Sequence, residues 1–203
     1  MTAPLTPQVT PSQRAFGREL GREQAEMISI RKERPPDQGA REALLDEAFG
    51  NHRWRKSSQR LRDGRSPAEG LAFVATDGKR VIGTARLWNI VCGTGHSATL
   101  LLGPVAVAPD CRNRGIGAGL VNHALAAARR RGHRAVVLVG DEPYYSRFGF
   151  STEKTAALRM PGPFERHRLL ALELEPGSLK GARGLLRAPS KQMPQSDLAA
   201  SAA

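Results

Sequence analysis

Val105-Ala-Val-Ala-Pro-Asp-Cys-Arg112-Asn-Arg-Gly-Ile-Gly-Ala118 passes from an apolar strand, through a proline, into two arginines and a glycine pair that open a helix. Such a junction is suited to an anion. The first amides of a helix have no intrahelical partner, and the macrodipole is positive at that end. Gly115 and Gly117 remove side chains, so a phosphate can approach the backbone. Arg112 and Arg114 add cationic donors that suit a pyrophosphate. The bland alternative is a tight turn with a glycine-rich helix start. A dinucleotide fingerprint is a third reading, and Asp141 near the end of the next strand flatters it. It fails because the third glycine, Gly119, comes one residue early and a hairpin meander, rather than repeated βα units, precedes the loop.

Working outward, Ala98–Ala108 (ATLLLGPVAVA) reads as a long apolar strand interrupted by Gly103-Pro104. Proline donates nothing to a ladder, so the strand is expected to bulge or splay there. Further upstream, Leu71–Thr76 and Arg80–Cys92 read as strands joined by an Asp77-Gly78 hairpin signal. Met27–Arg31 alternates as a short first strand. Asp37 is placed to cap a helix running to Phe49, which Gly50 ends. The basic run His52 to Leu61 predicts a second helix. Downstream, Ile116, Leu120, Ala124 and Ala127 fall at helical spacing, which predicts a helix over Gly115–Arg131. Ala135–Val139 reads as a buried strand, Tyr144–Phe148 as a short helix, and Arg168–Leu174 as the last strand. The order β-α-α-β-β-β-α-β-α-β describes a mixed α+β fold, an antiparallel meander feeding a right-handed β-α-β crossover.

Residues 1–26 are expected to be a disordered extension, with a transit peptide as the alternative, and 188–203 a disordered tail. The domain is expected over 27–187. No apolar run approaches the roughly 18–20 residues needed to cross a bilayer, and two cysteines make neither a disulfide framework nor a zinc cluster. A cytoplasmic protein without a metal is expected. Net charge is +12, from 31 Lys and Arg against 19 Asp and Glu. That balance favours phosphate-rich partners, although arginine-rich solvated helix faces produce the same count. Aromatics are 5 % of the chain, so stacking surface for nucleic acid is sparse and nucleic acid is not expected as the main partner.

Two segments in register resemble the GNAT superfamily of N-acetyltransferases. Val105–Ala118 is similar to its acetyl-CoA signature, and Tyr144-Tyr-Ser-Arg-Phe-Gly-Phe150 to its Tyr-x-Lys/Arg-x-Gly-Phe hallmark. LGPVAVAP, VGDEPYYSRFGF and LELEPGSLKG resemble a branch of small N-acetyltransferases, over about Met27 to Leu186. The resemblance implies a mostly antiparallel sheet whose fourth and fifth strands splay to admit acyl-CoA. It implies that backbone groups of Val105, Ala106 and Val107 meet the pantetheine arm. The pyrophosphate would lie on Arg112, Asn113, Arg114, Gly115, Ile116, Gly117 and Ala118. Tyr145 would protonate the leaving thiolate, with Tyr144 as second candidate because the tyrosine is doubled. A thiol has pKa ~8.5 and a tyrosine ~10, so that transfer is uphill by only about 2 kcal/mol.

Many members carry a glutamate base on the strand before the loop. Residues 97–109 hold no acid or histidine, which leaves the base unassigned, with His96 and Glu69 as candidates. Cys111 adjoins the pyrophosphate end, so direct transfer in a ternary complex is expected rather than an acetyl-cysteine. The acceptor is expected to be a small-molecule or protein amine. The resemblance implies that the segment His52 to Leu61 lines the acceptor site, so its Arg53, Arg55 and Lys56 imply an acceptor bearing negative charge. A monomer or a homodimer is expected. The competing reading is a GNAT-like module that senses acyl-CoA, or uses its basic face on nucleic acid, without turnover.

Overall fold

The computed structural model describes residues 28–93 and 95–190. The expected 1–26 extension and nearly all of the expected tail lie outside them. Among the described residues eight strands form: β1 (Ile28–Lys32), β2 (Ala72–Asp77), β3 (Arg80–Cys92), β4 (Gly95–Val107), β5 (Ala135–Val139), β6 (Leu158–Arg159), β7 (Leu169–Glu173) and β8 (Gly184–Arg187). Three α-helices join them: α1 (Gln38–Phe49), α2 (Ile116–Arg130) and α3 (Glu142–Tyr145). The main path is β1-β2-β3-β4-β5-β7, with β8 on the far end of β3 and β6 on β8. All pairs are antiparallel except β4–β5 and β6–β8. The mixed architecture, mostly antiparallel with one β-α-β crossover, is the one expected.

The strand period of two sorts the apolar residues onto two faces. Leu87, Leu100, Leu102, Val136, Leu138 and Leu170 pack in one core with α1 and α2. Their neighbours Trp88, Leu101, Val137, Leu169 and Ala171 pack in a second core, with Leu158, Met160, Leu179 and Leu186 from the segment after α3. β5 is apolar at every position because it is central and covered on both sides.

Three expectations change. The predicted helix over His52–Leu61 is instead two 3-10 segments, Gly50–Arg55 and Ser57–Leu61, separated by extended Lys56 at φ −66°, ψ 138°. Asn, His, Trp and Ser are weak helix formers, and α1 has already ended at Gly50. Asp37 precedes α1, but its side chain does not cap it. Its carboxylate accepts from the Arg34 amide at 2.7 Å and from Arg31 at 2.6 and 2.8 Å. The two central residues of the β2–β3 turn are Gly78 and Lys79, one position later than read, since Asp77 pairs with Arg80.

A buried ionic seam fixes α1 to the sheet. Glu33 accepts from Arg41 at 3.0 Å and from Arg86 of β3. The Arg31 guanidinium beside Asp37 holds that carboxyl down to about 2, against the opposing effect of burial. Its stabilisation is therefore complete above the unfolded carboxylate value near ~4 and is lost as pH falls from about 4 to about 2. Arg31 stands at the solvent edge, so screening leaves on the order of 1 kcal/mol. Asp37→Asn should lower unfolding stability by about 1 kcal/mol at pH 7 in urea titrations, with the difference from wild type vanishing below about pH 2.

Candidate active site

The site begins where β4 leaves β5. The two strands pair for three residues, Thr99↔Ala135 to Leu101↔Val137. β5 then continues along β7, with Leu138↔Leu170 and Val139↔Leu169. β4 instead follows β3 through a bulge. Ala85 pairs with Val105 and Leu87 with Leu102, so Gly103 and Pro104 stand opposite the single Arg86. Trp88 Nε1 donates to the Gly103 carbonyl at 2.5 Å and pins the bulge from the second face. Proline's missing N–H is tolerated because this stretch is no longer flanked by β5.

A cleft of about 220 Å³ opens between the parted strands. Leu101 to Val105 form its β4 wall, and Val139, Gly140, Asp141 and Tyr145 its β5 wall. Phe49, together with Arg53 and Gln59 of the 3-10 segments and with Lys56 and Arg62 that flank those segments, closes the third side. Val105 borders the cleft, while Ala106 and Val107 pair with Thr84 and Gly83 further along β4.

The doubled tyrosine divides its work. Tyr145 ends α3 and lines the cleft; Tyr144 is not among the lining residues. A side chain at Gly140 would strike the Tyr145 ring at 2.4 Å, so the glycine makes the ring's seat. Tyr145 meets Tyr144 edge-on at 4.9 Å and Phe150 at 5.9 Å. Burial pushes the Tyr145 hydroxyl up to about 12, with the neighbouring Tyr144 and Asp141 adding to the rise and Arg168 opposing it. Tyr144 turns the other way. Its hydroxyl would lie 3.0 Å from a Cβ at Gly117, and Arg147 covers its ring at 4.4 Å.

β4 runs on through Pro109–Cys111 into the glycine loop. Arg112, Asn113, Arg114 and Gly115 are exposed, and Asn113 and Gly115 adopt left-handed conformations at φ 62° and 75°. The intrahelical ladder of α2 starts with the Gly119 amide on the Gly115 carbonyl at 2.9 Å. The amides of Ile116, Gly117 and Ala118 therefore have no intrahelical partner. Ile116 itself is buried against the core, so its part in the loop is limited to its backbone. Cys111 is a buried thiol outside the cleft lining.

Glu69 belongs to a separate surface depression beside Lys32 and Arg34. The His96 side chain lies outside the described residues. Among the described residues, Asp141 is the carboxylate that lines the cleft, and it pairs with Arg168 at 3.1 Å. Arg168 also lines the cleft and went unread in the sequence, because it is remote from every motif. Of the basic run, Arg53 and Lys56 reach the cleft and Arg55 does not. Among the described residues, no group of three or more His, Cys, Asp or Glu could hold a metal ion, and no helix is long and apolar enough to cross a membrane.

Residues 27–150 match the model of the acetyltransferase (GNAT) family. The uncharacterized N-acetyltransferase YhbS of Escherichia coli strain K12 is 31% identical over 158 residues, 77% of this chain and 93% of YhbS. A crystal structure of E. coli YhbS in complex with CoA has a TM-score of 0.69 at 30% identity, covering 80% of this chain and 90% of that one. A GNAT family acetyltransferase from Brucella melitensis, in complex with acetyl-CoA, has a TM-score of 0.62 at 27% identity, covering 80% and 96%.

The Tyr144–Gly117 contact gives a double-mutant test. Alanine at Gly117 gains helix propensity, but its Cβ meets the Tyr144 hydroxyl at 3.0 Å. Gly117→Ala should be no better than neutral in the wild type. It should stabilise by about 0.5–1 kcal/mol in a Tyr144→Phe background, as read by urea unfolding.

Proposed function

Because the chain belongs to the acetyltransferase (GNAT) family, we propose that it is an acetyl-CoA-dependent N-acetyltransferase working on a primary amine by direct transfer in a ternary complex. The observation that carries this reading is the opening between β4 and β5, with Tyr145 on one wall and β4 itself leading into the Arg112–Ala118 loop. An acyl-pantetheine arm laid against the bulged strand at Val105 to Val107 would meet backbone groups that have no strand beside them. The pyrophosphate would lie on the amides of Asn113 to Ala118, with Arg112 and Arg114 as cationic donors. The relatives solved with CoA and acetyl-CoA support that choice of donor.

In the reaction the amine nitrogen bonds to the thioester carbonyl carbon, the carbon–sulfur bond breaks, the thiolate takes a proton from a donor in the cleft, and the nitrogen gives up its proton to water, which reprotonates that donor. Tyr145 is that donor. At about 12 it is always protonated at neutral pH, and it is a weaker acid than a free tyrosine. Against a free thiol near ~8.5 the transfer would be uphill by about 3.5 units, roughly 5 kcal/mol. The burial that raises the tyrosine raises a thiolate in the same cleft, because both lose water around their charged form. The relative difference therefore narrows when both occupy the site. Cys111, buried and outside the cleft, takes no acetyl group.

Tyr145→Phe should reduce kcat by about 100-fold or more while leaving acetyl-CoA affinity unchanged, in a thiol-release assay over a panel of amines. Equal kcat would remove Tyr145 as the acid. Tight acetyl-CoA binding without release across the panel would favour a sensor of acyl-CoA. In wild type, the rate should show no fall attributable to Tyr145 below about pH 11, because its proton is retained up to about 12. Cys111→Ala should retain turnover.

A further inference from the structure

The cleft is strongly biased in charge. Arg53, Lys56, Arg62 and Arg168 line it, against Asp141 as the one lining carboxylate among the described residues. Two of the four cations are committed. Arg53 donates to Glu42 at 2.7 Å and Asp46 at 2.8 Å, and Arg168 pairs with Asp141. The other two are not. Among the described residues no carboxylate oxygen stands within 4.0 Å of the Arg62 or Lys56 nitrogens. Arg62 donates to Ser58, to its carbonyl at 3.2 Å and its hydroxyl at 3.4 Å, and Lys56 rests over the Phe49 ring at 4.4 Å. Arg168 Nε is buried and has no hydrogen-bond partner among the described residues.

The cations also work against one another. Burial, helped by Arg53 and Arg86, lowers Arg62 to about 10 despite Asp63. Burial, with Arg168 and Arg62, lowers Lys56. Like charges gathered in a half-buried cleft are unfavourable unless an anion joins them. A guanidinium offers the forked donors that match an oxyanion.

We infer that the acceptor is a small primary amine carrying an oxyanion, a carboxylate or a phosphate, which Arg62 receives with Lys56 and Arg168 beside it. The inference rests on the proposed transferase reading for the amine, but the oxyanion site itself does not. Size favours a small molecule. The cleft's volume of about 220 Å³ lies below the ~300–1,000 Å³ usual for drug-sized ligands. The reactive end of the donor must share that space. The amine end then lies towards Tyr145 and Asp141 on the β5 wall, and the oxyanion towards the Lys56–Arg62 wall.

The test has a binding arm and a turnover arm. In the first, inorganic phosphate and acetate are titrated separately, at constant ionic strength, into the CoA-loaded full chain while arginine Nε–H resonances are followed. At least one should give saturable shifts, and which of the two saturates distinguishes phosphate from carboxylate. Arg62→Gln should weaken that binding by about 10- to 100-fold, and Lys56→Gln, an exposed change at the rim, should weaken it less. CoA affinity should stay unchanged in both variants. Non-saturable shifts with both probes, or shifts that survive Arg62→Gln, would overturn the site. In the second arm, thiol release is compared for methylamine with glycine, for ethanolamine with phosphoethanolamine, and for a neutral peptide N-terminus. An oxyanion-bearing amine should exceed its neutral partner in kcat/KM by about tenfold or more. Arg62→Gln should erase that advantage chiefly through KM. Neutral amines or the peptide serving equally well would overturn the acceptor class while leaving the transferase reading intact. Saturable oxyanion binding without release from any amine would refute the transferase reading and leave the site standing.

Discussion

The parting of β4 from β5 is the constraint around which this fold is arranged. β5 is held on its other side by all five residues of β7, so it cannot follow β4 when the bulge at Gly103-Pro104 turns that strand. Backbone polar groups in a buried site require partners. Past Leu101 the β5-facing edge of β4 has no strand beside it, and this edge forms one wall of the cleft. A sheet that is continuous on both sides of a local gap supplies a rigid slot, because each flanking pair is fixed by its own ladder and its own core. The Trp88 bond to Gly103 couples that gap to the second core.

Charge is organised around the same gap. A net charge of +12 does not by itself distinguish a solvated surface from a binding surface. The ion pairs make the distinction. Arg31, Arg41, Arg86 and Arg53 are engaged with Asp37, Glu33, Glu42 and Asp46, and they tie α1 and the first 3-10 segment to the sheet. Arg80 and Arg134 pair with Asp110 and Glu175 at the surface, where such pairs contribute little. Among the cleft cations, Arg62 and Lys56 are the two without a carboxylate among the described residues. The first two groups are spent on carboxylates of the fold, whereas Arg62 and Lys56 are held by Ser58 and the Phe49 ring.

The legible parts of the sequence were those with a period or with punctuation. β3 and β5 matched residue for residue, because apolar runs bounded by glycine carry their own limits. Gly103-Pro104 announced the bulge because proline's chemistry is local. The second layer was not legible. β8 pairs with Val91 and Cys92 across nearly half the chain, and β6 is two residues long, too short to show alternation. Arg168 reaches the cleft from the 3-10 turn just before β7 through tertiary packing alone, and Arg62 could be seen only as one of a run of cations. Conversely, Arg55 belonged to that run by sequence and not by position. In the 3-10 segments and the extended residue between them, Arg53 and Lys56 reach the cleft while Arg55 is exposed outside it. The doubled tyrosine was ambiguous in sequence; in space its members face a cleft and a glycine loop.

The missing carboxylate on β4 bears on the chemistry of the same cations. A primary amine near ~10 is almost wholly protonated at neutral pH, and only the neutral form attacks. A base is one way to remove that proton. A positive surrounding is another, since like charge disfavours the ammonium. The cleft already shows this effect on its own amine, Lys56, which burial, Arg168 and Arg62 together lower. Under the proposed reading, an acceptor ammonium on the β5 wall feels a weaker push from the same guanidiniums, because the oxyanion it carries answers part of their charge. Asp141 opposes that push, but it is 74% exposed and already answered by Arg168, so solvent and its partner both weaken its pull on the amine.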